Sequence, residues 1–273
     1  MYYPVFDEFR TFAEQGNLIP VYREILADID TPVSALMKLS AKSHVFLLES
    51  VEGGEKWGRY TFLGSDPRVV FTVRRDHVLI TEQGKSRSSR HGGNPLRYLK
   101  DLLNAYRPVP VDGLPRFYGG AVGFLGYDMV RYFEKLPARA SDDLKTDDAV
   151  FLITDTLIVF DNIRHTIKVI SCAYTDGGGS LKDIYDDTID KIDRVIAIIR
   201  APLETTERYR KVENGAPPVS NMSAEEFKAT VEKAKEYIIA GDIIQVVLSQ
   251  RFHATNGVDP LDLYRALRYV NPS

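Results

Sequence analysis

Two apolar runs in the middle of the chain constrain its fold most. Residues 150–161 and 166–174 are rich in valine, isoleucine, threonine and aromatic residues, a composition typical of β-strands. The short polar turn between them, residues 161–165, fits an antiparallel hairpin. We therefore predict an α+β fold, in which antiparallel β-sheets are covered by helices.

A second hairpin is predicted for residues 46–64, FLLESVEGGEKWGRYTFLG. An apolar run ends in Glu49 and Ser50, a charged segment with two glycines follows, and an aromatic-rich run completes the pattern. Two strand-like runs around a glycine-containing loop indicate a hairpin or a close relative of one. The polar groups at its end would then surround the mouth of a small polar ligand site, but this pattern does not identify the ligand.

Capping signals predict where the helices begin. Thr31-Pro32, Asn94-Pro95 and Asp259-Pro260 each combine an N-cap residue with proline at the first helical position. Ser180 and Ser223 precede amphipathic runs, and Ser223 with Glu226 forms a capping box.

Two glycine-containing segments need separate interpretation. The four glycines within residues 119–126 do not fit a dinucleotide-binding loop, because the preceding strand and long following helix are missing. We predict a strand packed closely against a neighbour, followed by a short helix at residues 128–133. Residues 84–93, GKSRSSRHGG, are predicted to be an exposed flexible loop.

The polar, proline-containing segment 201–221 is the best domain boundary. We predict an N-terminal domain over residues 1–200 and the start of a second domain over 222–273. In the second domain, residues 242–253 are predicted to form a buried strand. The side-chain amide of Gln245 must then form hydrogen bonds within the protein or line a cavity. One helix, one strand and one helix cannot make a domain, and we expect the natural protein to continue beyond Ser273.

The charge and cysteine content narrow the function classes. The formal net charge is −3 at pH 7, which predicts no broad surface for nucleic acid or for an anionic membrane. The single cysteine, Cys172, excludes an internal disulfide and is expected to be a packed small hydrophobe. Without a secretory signal or a run approaching the roughly 20 apolar residues of a membrane span, the expected location is the cytoplasm.

Four segments together resemble the large subunit of the anthranilate synthase family, component I. They are LLESVEGGEKWGRYTFLG, FYGGAVGFLGYD with EKLP, AGDIIQVVLSQRF and RYVNPS. They are spread over nearly the whole chain in the family's order. The resemblance implies the production of anthranilate and pyruvate from chorismate, with Mg²⁺ as cofactor and ammonia from a glutamine amidotransferase partner. It also implies feedback inhibition by L-tryptophan at a separate site.

The resemblance assigns the tryptophan site to the hairpin end. By position, Ser50 is implied to contact the inhibitor, with Leu48 and Glu49 beside it and Lys56 in the loop. These residue types suit an amino acid, since a carboxylate accepts from an ammonium while a hydroxyl or an amine donates to a carboxylate.

The segment around Gln245 is similar to the strand that lines the family's active-site cavity. Relatives that add water to chorismate carry lysine at this position, and lysine can act as a general base. Glutamine cannot take a proton, so Gln245 favours a reaction with ammonia. The family's Mg²⁺-binding glutamates, catalytic histidine and substrate-binding arginine are expected beyond Ser273, so no metal ligand is assigned in this chain.

Two alternatives stay open at this point. The component I of aminodeoxychorismate synthase shares the fold and much of this pattern. The chain alone could also be a non-enzymatic module that binds tryptophan and the partner subunit.

Overall fold

The described part of the chain, in a computed structural model, comprises residues 1–50, 58–137, 141–203, 217–254 and 257–271. It divides into two compact units, Met1–Leu203 and Glu204–Asn271. The domain limits predicted above, 1–200, 201–221 and 222–273, stay a prediction.

The first unit contains ten strands and four α-helices among its described residues. The helices are α1 (Phe6–Phe12), α2 (Pro32–Leu39), α3 (Pro95–Asn104) and α4 (Leu181–Arg200). The strands are β1 (Leu18–Leu26), β2 (Val45–Leu48), β3 (Tyr60–Ser65), β4 (Val69–Arg74), β5 (His77–Glu82), β6 (Lys85–Arg90), β7 (Gly120–Leu125), β8 (Ala149–Thr154), β9 (Thr156–Asp161) and β10 (Thr166–Tyr174).

These strands form two five-stranded sheets. The first sheet has the order β1-β10-β9-β3-β2 and the second the order β6-β5-β4-β8-β7. Every neighbouring pair is antiparallel. The predicted α+β class with antiparallel sheets is confirmed. The capping signals at Thr31, Asn94 and Ser180 each begin a helix, because their side chains accept a backbone N–H of the first turn.

The apolar run 150–161 is one strand in the prediction and two strands in the structure. β8 ends at Thr154 and β9 begins at Thr156, and these two strands belong to different sheets. Only β9 forms the predicted hairpin with β10, where Thr166 pairs with Asp161. Asp155 turns the chain between the sheets, and its carbonyl accepts the N–H of Cys172 at 2.7 Å. An apolar run alone does not reveal such a turn, because both halves are strand-like.

Each sheet buries one face against a helix. On the first sheet, α4 packs on β10 and buries an isoleucine face, Ile192, Ile196 and Ile199. On the second, Leu99 of α3 joins a core with Phe71, Val78 and Met129. Burying large aliphatic and aromatic side chains of this kind supplies about 1.5–3 kcal/mol each.

Gly123 in β7 permits a close approach of two strands. A Cβ atom at this position would lie 1.9 Å from the carbonyl oxygen of Val150 in β8. The predicted tight packing of this strand is confirmed. A single 3₁₀ helix, Tyr127–Tyr132, follows it and covers most of the predicted short helix.

In the segment 84–93 every residue except the buried His91 is exposed as predicted, but the segment is not a loop. Residues 85–90 form β6, which pairs with β5 along its whole length, from Glu82 with Lys85 to His77 with Arg90. Gln83 and Gly84 both have positive φ, 49° and 75°, as two-residue hairpin turns require. Backbone pairing therefore forms this strand despite its polar side chains, and the loop prediction was wrong.

The second unit contains α5 (Ala224–Ala240) and α6 (Pro260–Val270), with two short strands, β11 (Val219–Ser220) and β12 (Phe252–His253). The predicted capping box of α5 is present: Ser223 Oγ accepts the N–H of Glu226, whose carboxylate accepts the N–H of Ser223. Gly241 ends the helix in the left-handed conformation, with φ 83°.

The buried strand predicted for residues 242–253 is not observed. Only Phe252 and His253 pair with another strand in the described part of the chain. Ile244 and Val247 are 98% and 83% exposed. A strand must find partners elsewhere in the chain for its N–H and C=O groups, and the described residues offer none to 243–250.

Candidate functional site

The hairpin of β2 and β3 brings three of the four residues predicted for a ligand site together. β2 ends at Leu48, which pairs with Phe62 of β3, and Glu49 and Ser50 follow directly. Leu48 and Ser50 are exposed, whereas Glu49 is half-buried. The predicted hairpin is therefore confirmed. Lys56, the fourth residue, lies outside the described residues.

Aromatic side chains flank this polar end. The rings of Phe62 and Phe117 meet edge to face at 5.4 Å, and those of Tyr60 and Phe62 are 6.1 Å apart. Phe46 packs against the same cluster. Gly64 makes room for it, because a Cβ at position 64 would lie 2.3 Å from the Phe46 ring. The result is a half-buried aromatic surface beside Glu49 and Ser50.

An ion pair braces the same end of the first sheet. Arg59, just before β3, donates to the Asp161 carboxylate with an Nη2–Oδ2 distance of 2.8 Å. Asp161 also accepts the backbone N–H groups of Ile163 and Arg164, at 3.2 and 3.1 Å. Its side chain is only 5% exposed. This network fixes the start of β3 to the end of β9.

The brace also determines the ionisation of Asp161. Burial raises the pKa of its carboxyl, but the hydrogen bonds from Arg59 and the backbone of Arg164 outweigh that effect, so the pKa lies below its ordinary value. We did not predict this pair. An aspartate at the first turn position that accepts the N–H groups two and three residues on is a known turn signal, and it could have indicated the acceptor role of Asp161.

The chemistry of this end suits an amphipathic ligand. Carboxylate and hydroxyl groups at Glu49 and Ser50 can bind an ammonium and a carboxylate, and the aromatic surface can pack against a ring. Arg59 is held by Asp161 and lies over the Tyr60 ring, at 4.7 Å from its centroid. It therefore acts on the site by positioning β3.

Gln245, predicted to line a catalytic cavity, belongs to the second unit. It is exposed and lies in a segment without regular secondary structure. Its burial in a strand is thus not observed. Its role in a reaction stays a prediction.

Other candidate residues have structural explanations. Cys172 is buried in β10, and burial raises the pKa of its thiol well above the ordinary range, so it is an unreactive packed side chain. His165 is exposed in the β9–β10 turn.

The described residues contain no group of three or more histidine, cysteine or acidic side chains that could hold a metal ion. Likewise, no helix in the described ranges is long and apolar enough to cross a membrane.

Comparison with known proteins defines the class. The model of the chorismate binding enzyme family matches residues 45–273. The chain therefore belongs to this family. The match covers the β2–β3 hairpin, the second sheet and the whole second unit.

Individual proteins that are similar to the chain point to one member of this family. The chain is 38% identical to anthranilate synthase component 1 of Acetivibrio thermocellus, over 100% of the chain and 56% of that protein. It is 39% identical to the protein of the same name from Synechocystis sp., over 99% of the chain and 55% of that protein. A crystal structure of anthranilate synthase component I from Streptococcus pneumoniae superposes with a TM-score of 0.62, at 28% identity over 91% of the chain and 53% of that protein. The chain spans about half the length of the relatives it matches.

Proposed function

We propose that the chain is part of an anthranilate synthase component I, which converts chorismate and ammonia into anthranilate and pyruvate. The observation that carries this proposal is the 38–39% identity to proteins of that name across essentially the whole chain. The fold agrees with that of the Streptococcus pneumoniae protein. Such a protein takes ammonia from a second component, here a glutamine amidotransferase.

The first unit is the regulatory part in this proposal. L-tryptophan binds at the end of the β2–β3 hairpin, with its indole on the aromatic surface around Phe62. Glu49 accepts from the ammonium, and Ser50 and Lys56 donate to the carboxylate. Leu48 contacts the ring. Tryptophan bound there favours a state that binds chorismate less well, and by linkage chorismate weakens the binding of tryptophan.

The second unit belongs to the chorismate-binding part. Gln245 lines the substrate cavity once residues 243–250 are paired as a strand. Its amide cannot remove a proton, which suits ammonia as the nucleophile and does not suit water.

Magnesium is the cofactor of the complete enzyme in this proposal. The described residues offer no group of acidic or histidine ligands that fits it. We place its ligands in the part of the relatives that this chain does not span.

The identity of the product tests this function. The complete enzyme with its amidotransferase, supplied with chorismate and glutamine, is expected to release fluorescent anthranilate and one equivalent of pyruvate. Ammonium salt should replace glutamine when the amidotransferase is omitted. Accumulation of aminodeoxychorismate without pyruvate would instead assign the chain to aminodeoxychorismate synthase component I.

A second candidate role concerns the chain by itself. We propose that residues 1–273 by themselves act as a binding module without turnover, since the chain spans about half the length of the relatives it matches. Purified residues 1–273 should release no anthranilate from chorismate and ammonium. Measurable anthranilate formation by this chain would contradict the binding-module role.

A further inference from the structure

A cavity of about 260 Å³ lies where the chain passes between the two sheets. Two connections meet there: Arg68 lies between β3 and β4, and Asp155 lies between β8 and β9. The end of α3 and the beginnings of β1 and β7 close the remaining sides. The apolar and aromatic part of its lining comprises Leu18, Leu103, Tyr106, Pro108, Tyr118 and Ile153.

Two arginines give this cavity a positive character. Arg68 is held between two rings, with its guanidinium carbon 4.4 Å from the Tyr174 centroid and 5.7 Å from that of Tyr106. Its side chain is 25% exposed. Arg116 is exposed at the rim and makes no ion pair with the described residues. The lining therefore carries one ordered and one accessible guanidinium.

One hydrogen-bond donor of Arg68, its Nε, is not used among the described residues: it is buried without a hydrogen-bond partner there. The nearest carboxylate oxygen, from Glu82, is 3.5 Å away, too far for a good hydrogen bond. A buried donor without a partner is energetically unfavourable. An arginine that the rings hold in place in this way is prepared for an anionic ligand.

The acidic group in the lining does not oppose an anion. Asp155 has its carboxylate 3.4 Å from Lys191 Nζ and accepts from the Thr156 hydroxyl at 3.1 Å. Its charge is thus offset by a lysine of α4. Arg68 likewise has the Glu82 carboxylate 3.5 Å from its Nε, so the charge of the lining without an ion pair among the described residues is that of Arg116.

We propose that this cavity binds a small organic carboxylate with a flat apolar body, whose carboxylate is held by Arg68 and Arg116. A planar guanidinium matches the two oxygens of a carboxylate. Tyr106 and Tyr118 pack against the body of the ligand, as aromatic walls do in small-molecule sites. Because the ligand contacts both connections, its binding ties the two sheets together.

This site is separate from the end of the β2–β3 hairpin. Asp155 precedes β9 and Asp161 ends it. A strand of this length places its two ends roughly 20 Å apart. The carboxylate site therefore does not depend on the function proposed above, and it can fail or hold independently of it.

Titration with benzoate tests the proposal, and benzamide serves as the neutral probe of the same shape. In ligand-observed NMR with the purified protein, benzoate is expected to bind at least about tenfold more tightly than benzamide, because only benzoate gains a charge-assisted hydrogen bond. Equal affinity for the two probes would overturn the proposal.

Two arginine substitutions locate the binding. Arg116→Gln removes an exposed charge and should weaken benzoate about tenfold. Its matched control is Arg97→Gln, an exposed arginine of α3 that contacts Asp101 at 3.8 Å, which should leave the affinity within about twofold. If both variants weaken benzoate equally, the effect is only one of net charge and the site is wrong.

Two further substitutions distinguish binding in the cavity from binding at the end of the β2–β3 hairpin. Arg68→Lys keeps the positive charge but loses the planar guanidinium group. It should weaken the binding of benzoate about tenfold and leave the binding of benzamide unchanged. Ser50→Phe should not change benzoate binding. If Ser50→Phe abolishes it and the arginine variants do not, benzoate binds at the hairpin end and the carboxylate site is refuted.

Discussion

The two units use their apolar side chains in opposite ways. In the first unit, Ile167 and Ile170 of β10 and Ile192, Ile196 and Ile199 of α4 are fully or almost fully buried between sheet and helix. In the second unit, no residue of α5 or α6 is buried, and Ile244 and Val247 stand in solvent. Both units nevertheless form their helices with the expected caps.

This difference shows which secondary-structure elements need a hydrogen-bond partner from a distant part of the chain. A helix satisfies its backbone hydrogen bonds within one segment, and a cap residue lies next to it in sequence. A strand satisfies them only through another strand. Among the described residues, the first unit supplies ten strands to two sheets, whereas the second supplies only a two-residue ladder. The comparison can be tested by substitutions of the same kind in both units.

The largest effect is expected for core truncation. Ile170→Ala in β10 removes a fully buried side chain and should lower the free energy of unfolding of the first unit by about 3–4 kcal/mol. Ile244→Ala should change stability by less than about 0.5 kcal/mol. Denaturant titration measures the free energy of unfolding. Hydrogen exchange of the β10 and α5 amides then shows which unit has lost stability. A comparable loss for both variants would show that Ile244 is packed.

The next effect is expected at the close approach of β7 and β8. Gly123→Ala places a Cβ against the Val150 carbonyl and should destabilise the first unit by about 3 kcal/mol, since backbone must move. Gly241→Ala meets no atom within 4 Å and loses only its favourable φ of 83°, at about 1 kcal/mol. Hydrogen exchange of the β8 amides should rise for Gly123→Ala alone. Unchanged β8 protection would argue against the tight pairing.

A smaller effect is expected at the brace. Asp161→Asn leaves Arg59 without its carboxylate and should cost about 2 kcal/mol at pH 7. The control is Asp142→Asn, whose exposed pair with Arg75 has a 3.0 Å contact and should change the stability much less, because solvent screens an exposed ion pair. Thermal or denaturant unfolding of the two variants provides the comparison. Equal losses would mean that burial adds nothing at Asp161.

The brace also predicts a pH dependence. The pKa of Asp161 is lower in the folded protein than its ordinary value, so the stabilisation is present above the ordinary carboxyl pKa of about 3.9. It is lost as the pH falls through the lower, folded pKa. The stability difference between the wild type and Asp161→Asn should therefore be constant near neutrality and shrink in acid. A difference that grows in acid would contradict the assigned direction.

The smallest effect should be the same in both units. Ser180→Ala removes the cap of α4, and Ser223→Ala removes that of α5. Each serine accepts an N–H at 3.1 Å, and each loss should cost about 1 kcal/mol. Helix-specific hydrogen exchange measures both. A large effect at only one of the two caps would contradict the view that each cap stabilises only its own helix.

The sequence allowed the prediction of what depends on neighbours along the chain. The caps at Thr31, Ser180 and Ser223, the β2–β3 hairpin and the buried Cys172 follow from local patterns, and all are observed. The turn at Asp155 and the pairing of β6 depend on which sheet a segment joins, which local composition does not encode. The same limit explains the 242–253 strand, whose apolar pattern says nothing about the presence of a partner.

The candidate site likewise contains residues that are adjacent in sequence and contacts between residues far apart in the chain. The consecutive residues Leu48, Glu49 and Ser50 are proposed from the family resemblance, and the hairpin places them at one strand end, while their role in binding stays a prediction. The brace between Arg59 and Asp161 joins residues about a hundred positions apart in the chain, and the cavity at Arg68 is assembled from several distant segments. Their contacts depend on the tertiary fold and could not be assigned from single segments.

Inhibition by tryptophan is the most direct test of the function assigned to the first unit. In the complete enzyme with its amidotransferase, anthranilate formation is measured against L-tryptophan concentration for the wild type, Ser50→Phe and the control Ser88→Phe on exposed β6. Each rate is normalised to the uninhibited rate of the same variant. The half-inhibitory concentration should rise at least about tenfold for Ser50→Phe, as expected when about 1.4 kcal/mol of binding is lost, and stay unchanged for Ser88→Phe. Wild-type sensitivity in Ser50→Phe would contradict the assignment of tryptophan to this end of the sheet.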